Sequence, residues 1–260
     1  MTEVGNRHPH GTPCWVSLLA RGVEATQEFY GRLFGWEFHP GPSSLGTYVR
    51  ASLNGKNVAG IGELPRDRPL PIAWTTYFAA DDADKTAELV RGCGGTVGVG
   101  PLDADDAGRL AIALDPLGAV FGIWQAVHHR GIETSGEPGS PVWNELVTRE
   151  TSMVATFYSL VFGFETQHVV STDFDYLTLQ LDGRPVGGIH GVGRGLPRDR
   201  GAHWMAYFEV ADTDAAARQV VQLGGSVLRA PRDSAYGRVA TVTDPEGAVF
   251  TVIRTEPLPA

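Results

Sequence analysis

The segment Asp115-Pro116-Leu117-Gly118-Ala119-Val120-Phe121 returns 129 positions later as Asp244-Pro245-Glu246-Gly247-Ala248-Val249-Phe250. Working outward, Gly108-Arg109 returns at the same spacing as Gly237-Arg238. Gly94-Gly95 becomes Gly224-Gly225, and Trp74 with Tyr77-Phe78 becomes Trp204 with Tyr207-Phe208, 130 positions on. Toward the N-terminus the spacing is 128: Trp15 and Trp143, Phe29-Tyr30 and Phe157-Tyr158, Phe34-Gly35 and Phe162-Gly163, Tyr48 and Tyr176. Leu53-Asn54-Gly55-Lys56 matches Leu181-Asp182-Gly183-Arg184 at that spacing as well. Short loop insertions shift a spacing by one or two, whereas chance does not keep so many uncommon residues in register. A domain has been duplicated. The copies span residues 11–127 and 141–255, and the Gly-, Ser- and charge-rich stretch 128–140 reads as the linker.

Each copy subdivides again. In the first, Cys14–Ala20 reads as a strand, and Val23–Phe34 carries an apolar stripe at 23, 29, 30, 33 and 34, which predicts a helix. Gly35 stands where a helix C-cap glycine belongs. Strands follow at 36–39, 48–53 and 58–62, the last two separated by the hairpin dipeptide Asn54-Gly55. After the Pro-rich stretch 65–71 the order restarts: a strand at 74–79, a helix at 82–91 ended by Gly92, and strands at 96–99, 110–114 and 120–125. The pattern is βαβββ twice per copy. Four such modules can pair within a copy or across copies, and spacing alone does not decide which.

With 260 residues, each copy is large enough to bury a core of its own. A hydrophobic fraction of 42% beside 20% charged residues is a globular composition, not a disordered one. The net charge of −9 comes without a basic block, which argues against a nucleic-acid partner. Two cysteines, Cys14 and Cys93, are too few for a disulfide framework and suit a reducing cytoplasm. No apolar run reaches the ~20 residues of a membrane span, and residues 1–12 are polar, without a signal-peptide core.

Two βαβββ modules per copy, Phe-Tyr before Phe-Gly, Gly-Gly after the second helix and Asp-Pro-x-Gly before the last strand together resemble the vicinal-oxygen-chelate superfamily of glyoxalases, bleomycin-resistance proteins and dioxygenases. The resemblance covers residues 11–254. The openings Gly11-Thr12-Pro13-x-Trp15 and Val142-Trp143-Asn144-Glu145-Leu146 are similar to those of two-domain actinobacterial, DnrV-like members, often labelled hydroxylase or glyoxalase-like. The resemblance implies an α+β fold of tandem domains, each pair of modules forming a half-open barrel around a cavity. It also implies, by analogy with DnrV, a small natural-product ligand and a place beside a biosynthetic oxygenase as partner.

The enzymes of that family place a divalent metal in the cavity, usually bound by a His or Gln on the first strand, a His on the strand opening the second module and a Glu on the last strand. Counted from the family motifs, these slots hold Trp15, Thr75 and Gly122 in the first copy and Trp143, Met205 and Thr251 in the second. None is a His or a carboxylate, so the expectation is a cavity without metal or other cofactor. The lining read in the first copy is Trp15, Ser17, Tyr48, Thr75, Tyr77 and Trp124, with Ser17, Tyr77 and Trp124 placed by alternation along the strands. In the second it is Trp143, Glu145, Tyr176, Met205 and Tyr207. Aromatic walls with a few polar groups suit a planar small molecule. Glu145 and His203 are the candidates for acid–base chemistry. Rival readings are a cofactor-free tailoring isomerase, lyase or hydroxylase component, and a metal-dependent dioxygenase or lyase with unorthodox ligands. The repeated loops Leu64-Pro65-Arg66-Asp67-Arg68 and Leu196-Pro197-Arg198-Asp199-Arg200 read as solvated connections between modules.

Overall fold

The computed structural model describes residues 7–67, 70–169, 175–196, 198 and 200–256. The N-terminal tail before residue 7 and Arg68, Pro197 and Asp199 of the repeated loops lie outside them. The first module is β1 (Pro13–Ala20), α1 (Val23–Phe34), β2 (Glu37–Pro40), β3 (Tyr48–Leu53) and β4 (Lys56–Glu63). The second is β5 (Trp74–Ala79), α2 (Ala83–Gly92), β6 (Thr96–Ala104), β7 (Gly108–Leu114) and β8 (Val120–Ala126). The third is β9 (Pro141–Thr148), α3 (Ser152–Phe162), β10 (Glu165–His168), β11 (Asp175–Leu181) and β12 (Arg184–Gly191). The fourth is β13 (His203–Glu209), α4 (Thr213–Gln222), β14 (Ser226–Ser234), β15 (Gly237–Thr243) and β16 (Val249–Thr255). Strands β1–β8 form one open eight-stranded sheet, in the order β2-β3-β4-β1-β5-β8-β7-β6. Strands β9–β16 repeat that order in a second sheet. The sheets are open, not closed barrels, and the fold is α+β.

Helix α1 follows its stripe: Val23, Thr26, Phe29, Tyr30 and Phe34 are buried, and Gly35 closes the helix in the left-handed region at φ 74°. Asp82 caps α2 from outside, its carboxylate accepting the Lys85 N–H at 3.1 Å, because the first turn of a helix leaves N–H groups without partners. Gly92 is the last helical residue, and the left-handed glycine that turns the chain is Gly94 at φ 89°. Strand β6 runs five residues past the expected Val99. Irregular register between Val97 and Val99, and again between Val99 and Leu102, carries pairing with β7 through Gly100-Pro101.

By contacts the chain falls into two compact units that cut across the duplication. Unit one is Met1–Trp15, Thr75–Gly131 and Asn144–Met205. Unit two is Val16–Trp74, Ile132–Trp143 and Ala206–Ala260. Each has its own aromatic core. In unit one Phe78, Phe121, Phe157, Tyr158, Phe162 and Trp204 are buried together. The Tyr158 hydroxyl donates to Asp115 Oδ2 at 3.2 Å and accepts from Trp204 Nε1–H at 2.8 Å. Asp115 Oδ1 accepts the backbone N–H of Leu117 and of Ala119. Unit two repeats the arrangement: Tyr30 donates to Asp244 Oδ2 at 3.1 Å, Trp74 donates to Tyr30 at 3.0 Å, and Asp244 Oδ1 holds the N–H groups of Glu246 and Ala248. The Asp-Pro-x-Gly motif is therefore a turn whose aspartate also anchors a buried tyrosine. Burial raises both carboxyls above the usual value and pushes both tyrosine hydroxyls well up.

Candidate functional site

In each strand the residues that face the aromatic core alternate with a second set on the opposite face, as a period of two requires. That opposite face carries every lining residue read from the sequence. On β1, Val16 and Leu18 enter the core of unit two, while Trp15 and Ser17 have the other parity and are buried at 4% and 3% exposure. On β5, Phe78 enters the core of unit one, and Thr75 and Tyr77 are half-buried on the other face. On β13, Trp204 is core and Met205 is buried on the opposite side, with His203 and Tyr207 half-buried. Trp143, on β9, is half-buried.

In unit one, Trp15 and Trp124 converge on a residue the sequence did not single out. The His129 ring meets the Trp15 ring edge-on with centroids 4.4 Å apart, and the Trp124 Nε1–H donates to the His129 carbonyl at 2.9 Å. His129 belongs to the expected linker and is itself buried. Nothing in a Gly- and charge-rich segment marks one histidine as a packing residue. Beside this group Tyr77 pairs in register with Gly122 across β5 and β8. The Tyr77 ring lies on that glycine, and a Cβ at position 122 would collide with the ring's Cδ1. The position counted from the family motifs as the carboxylate slot is thus covered by an aromatic side chain.

Also in unit one, a polar group gathers on β9, β11 and β12. Glu145 pairs in register with Gly188, and Tyr176 with His190. Leu146, Leu177 and Ile189, one residue away on each strand, enter the core. Glu145, Gly188, His190 and Tyr176 therefore share the opposite face. His190 Nδ1 lies 3.5 Å from Glu145 Oε1, and the Tyr176 and His190 rings are 5.8 Å apart. The Tyr176 hydroxyl lies over Gly188, where a Cβ would collide with it. Close approach thus demands glycine here for the same reason as at Gly122. Glu145 is 9% exposed, and an acid in such a place needs a partner to offset its lost hydration. His190 is that partner. His190, which the sequence reading did not assign to the site, is the seventh residue of β12. Its shared parity with Gly188 is the signal that would have found it. His203 opens β13, its Nδ1 2.8 Å from the Gly201 carbonyl.

The superfamily's metal does not fit these residues. The slots offer two indoles, one threonine hydroxyl each from Thr75 and Thr251, a thioether and a glycine beneath the Tyr77 ring. Divalent metals of N/O sites take imidazole and carboxylate. Among the described residues no three His, Cys, Asp or Glu side chains gather closely enough to hold a metal ion.

These features define a class: the chain belongs to the vicinal-oxygen-chelate superfamily, in its two-domain, glyoxalase-like form. A family profile described as glyoxalase-like domain matches residues 145–253. Over 259 residues the chain is 37% identical to the "Putative glyoxylase CFP32" of Mycobacterium tuberculosis, covering 97% of this chain and 98% of that one. It is 36% identical over 265 residues to the anthracycline biosynthesis protein DnrV of Streptomyces peucetius, covering 95% and 94%. Among solved structures, the Mn(II)-bound glyoxalase from Novosphingobium aromaticivorans matches with a TM-score of 0.67 at 16% identity, over 96% of this chain and 84% of that one. The 2,3-dioxygenase LapB from Pseudomonas sp. KL28 matches with 0.66 at 15% identity, over 97% and 96%. At such identities these two show the shared fold. No helix among the described residues is long and apolar enough to cross a membrane.

Proposed function

We propose that this protein binds a small aromatic or polyketide-like molecule on the non-core faces of its sheets, without a metal, in the cytoplasm. The observation that carries the reading is the Tyr77 ring lying on Gly122, where the superfamily's metal-binding carboxylate would stand. Aromatic side chains occupy a place that elsewhere holds metal donors, and such surfaces suit planar, largely apolar ligands. The kinship with DnrV, whose name places it in anthracycline biosynthesis, supports a natural-product ligand and an accessory place beside an oxygenase. A second reading, cofactor-free chemistry on the bound molecule, is favoured by the Glu145–His190 pair.

Native mass spectrometry of freshly purified protein tests the first reading. The expected result is a co-purified organic molecule of a few hundred daltons, released on denaturation, with no stoichiometric metal by elemental analysis. About one tightly bound transition metal per copy, retained without added metal, would overturn it. Tryptophan emission gives a second test: a planar aromatic ligand should quench it, and the quench should shrink in Trp143→Phe.

A further inference from the structure

The Glu145–His190–Tyr176 group has a twin position in the first copy, and the twin lacks both ionisable members. In unit two Ser17 pairs with Gly60, Leu19 with Gly62, and Tyr48 with Gly62. In unit one Glu145 pairs with Gly188, Val147 with His190, and Tyr176 with His190. The registers correspond residue for residue. Ser17 stands for Glu145, Gly62 for His190 and Tyr48 for Tyr176. On the opposite face the copies agree, with Leu18 and Ile61 matching Leu146 and Ile189, all fully buried. The sheet therefore forms with the same pairing whether or not the acid and the imidazole are present. A half-buried ionisable pair is weak support for stability, because solvent screening and desolvation offset much of its attraction. Strand pairing does not account for a pair that one copy carries and the other lacks.

We infer that Glu145, His190 and Tyr176 form a proton-accepting anchor for an acidic hydroxyl, phenol or enol, on the ligand. The inference rests on the aromatic-ligand reading above and adds the class of ligand. Glu145, 3.5 Å from Nδ1, favours the tautomer with its hydrogen on that nitrogen and makes Nε2 the accepting edge of the ring. In the step, the ligand O–H bond breaks and an Nε2–H bond forms. The electron pair stays on the ligand oxygen. The imidazolium is held by the Glu145 carboxylate, and the Tyr176 hydroxyl, beside Glu145 over Gly188, is the donor for the phenolate. Partial burial of Glu145 and Tyr176 strengthens these charge-assisted contacts relative to water.

A matched pair of probes tests this: 2-hydroxyanthraquinone, whose visible band moves to longer wavelength on ionisation, and 2-methoxyanthraquinone, the same shape with its hydroxyl blocked. The wild-type protein should bind both, the hydroxyquinone more tightly and with the red-shifted band. Glu145→Gln and His190→Gln should each weaken the hydroxyquinone about tenfold or more and abolish the shift. In both variants the preference for the hydroxyquinone over the methoxyquinone should disappear, and circular dichroism with a cooperative unfolding transition reports that they are folded. If both variants keep the wild-type affinity and shift, the pair does not handle the proton and the inference is overturned. If wild type binds the two quinones equally and without a shift, the inference falls while the aromatic-ligand reading stands. If wild type binds neither, that reading fails and takes the inference with it.

Discussion

The strand face built on β1 and β4 and the face built on β9 and β12 share pairing and register and differ in what they carry. The first has Ser17, Gly62 and Tyr48; the second has Glu145, His190 and Tyr176. The opposite faces of the same strands match, Leu18 and Ile61 in one and Leu146 and Ile189 in the other, and elsewhere in the two cores the Tyr–Asp–Trp networks are twins. After duplication the side chains that pack the cores were held, since a lost methylene or an unmatched polar group there costs stability at once. The other face matches at Trp15/Trp143, Tyr48/Tyr176 and Tyr77/Tyr207 and differs at Ser17/Glu145 and Gly62/His190. The tryptophans show a similar contrast: Trp15 is buried against His129, whereas its counterpart Trp143 is half-buried.

That last difference yields the largest expected effect. Trp15→Ala should cost ~3–5 kcal/mol of stability, the range for emptying a packed aromatic site, and Trp143→Ala clearly less. Urea unfolding of the two variants makes the comparison, and equal losses would break it. Next come the matched tyrosines. Tyr158→Phe and Tyr30→Phe each strand an indole N–H and a carboxylate oxygen, at about 1–3 kcal/mol per group left unpaired. The two losses should agree within error. A marked inequality would mean the cores are less alike than their geometry. Gly122→Ala should cost about 1–3 kcal/mol by overpacking against the Tyr77 ring.

The smallest effect is a pH dependence common to both cores. Burial raises the carboxyls of Asp115 and Asp244 above 3.8. A raised carboxyl keeps its proton in the fold at pH values where the unfolded chain has released it. Its contribution is therefore complete below the unfolded value and is lost as pH rises through the folded one. Asparagine does not ionise, so the cost of Asp115→Asn should fall as pH climbs above 3.8. Unfolding midpoints measured against pH check it; a cost that grows with pH would contradict the assignment.

Most of the fold was legible in the sequence because its signals are local. The α1 stripe with Gly35, the Asn54-Gly55 hairpin and the Asp-Pro-x-Gly turn each act within a few residues. Strand β6 was read short because Gly100-Pro101 looks like a break, and irregular register let pairing continue past it. Which modules share a core was not legible. Duplication gives Tyr30 two equivalent candidates, Asp115 and Asp244, and it bonds the one 214 residues away. At the candidate site, alternation along β9 put Glu145 on the same face as Trp143. His190 was missed because its position depends on where β12 ends, and His129 because its packing depends on contacts no local pattern encodes.

The central claim is that only the second copy carries a hydroxyl-reading anchor. Calorimetric titration with 2-hydroxyanthraquinone measures it most directly. The account predicts a single strong site per chain, removed by Glu145→Gln, with any second site weaker. Two equivalent, independent sites per chain, both surviving that substitution, would contradict it.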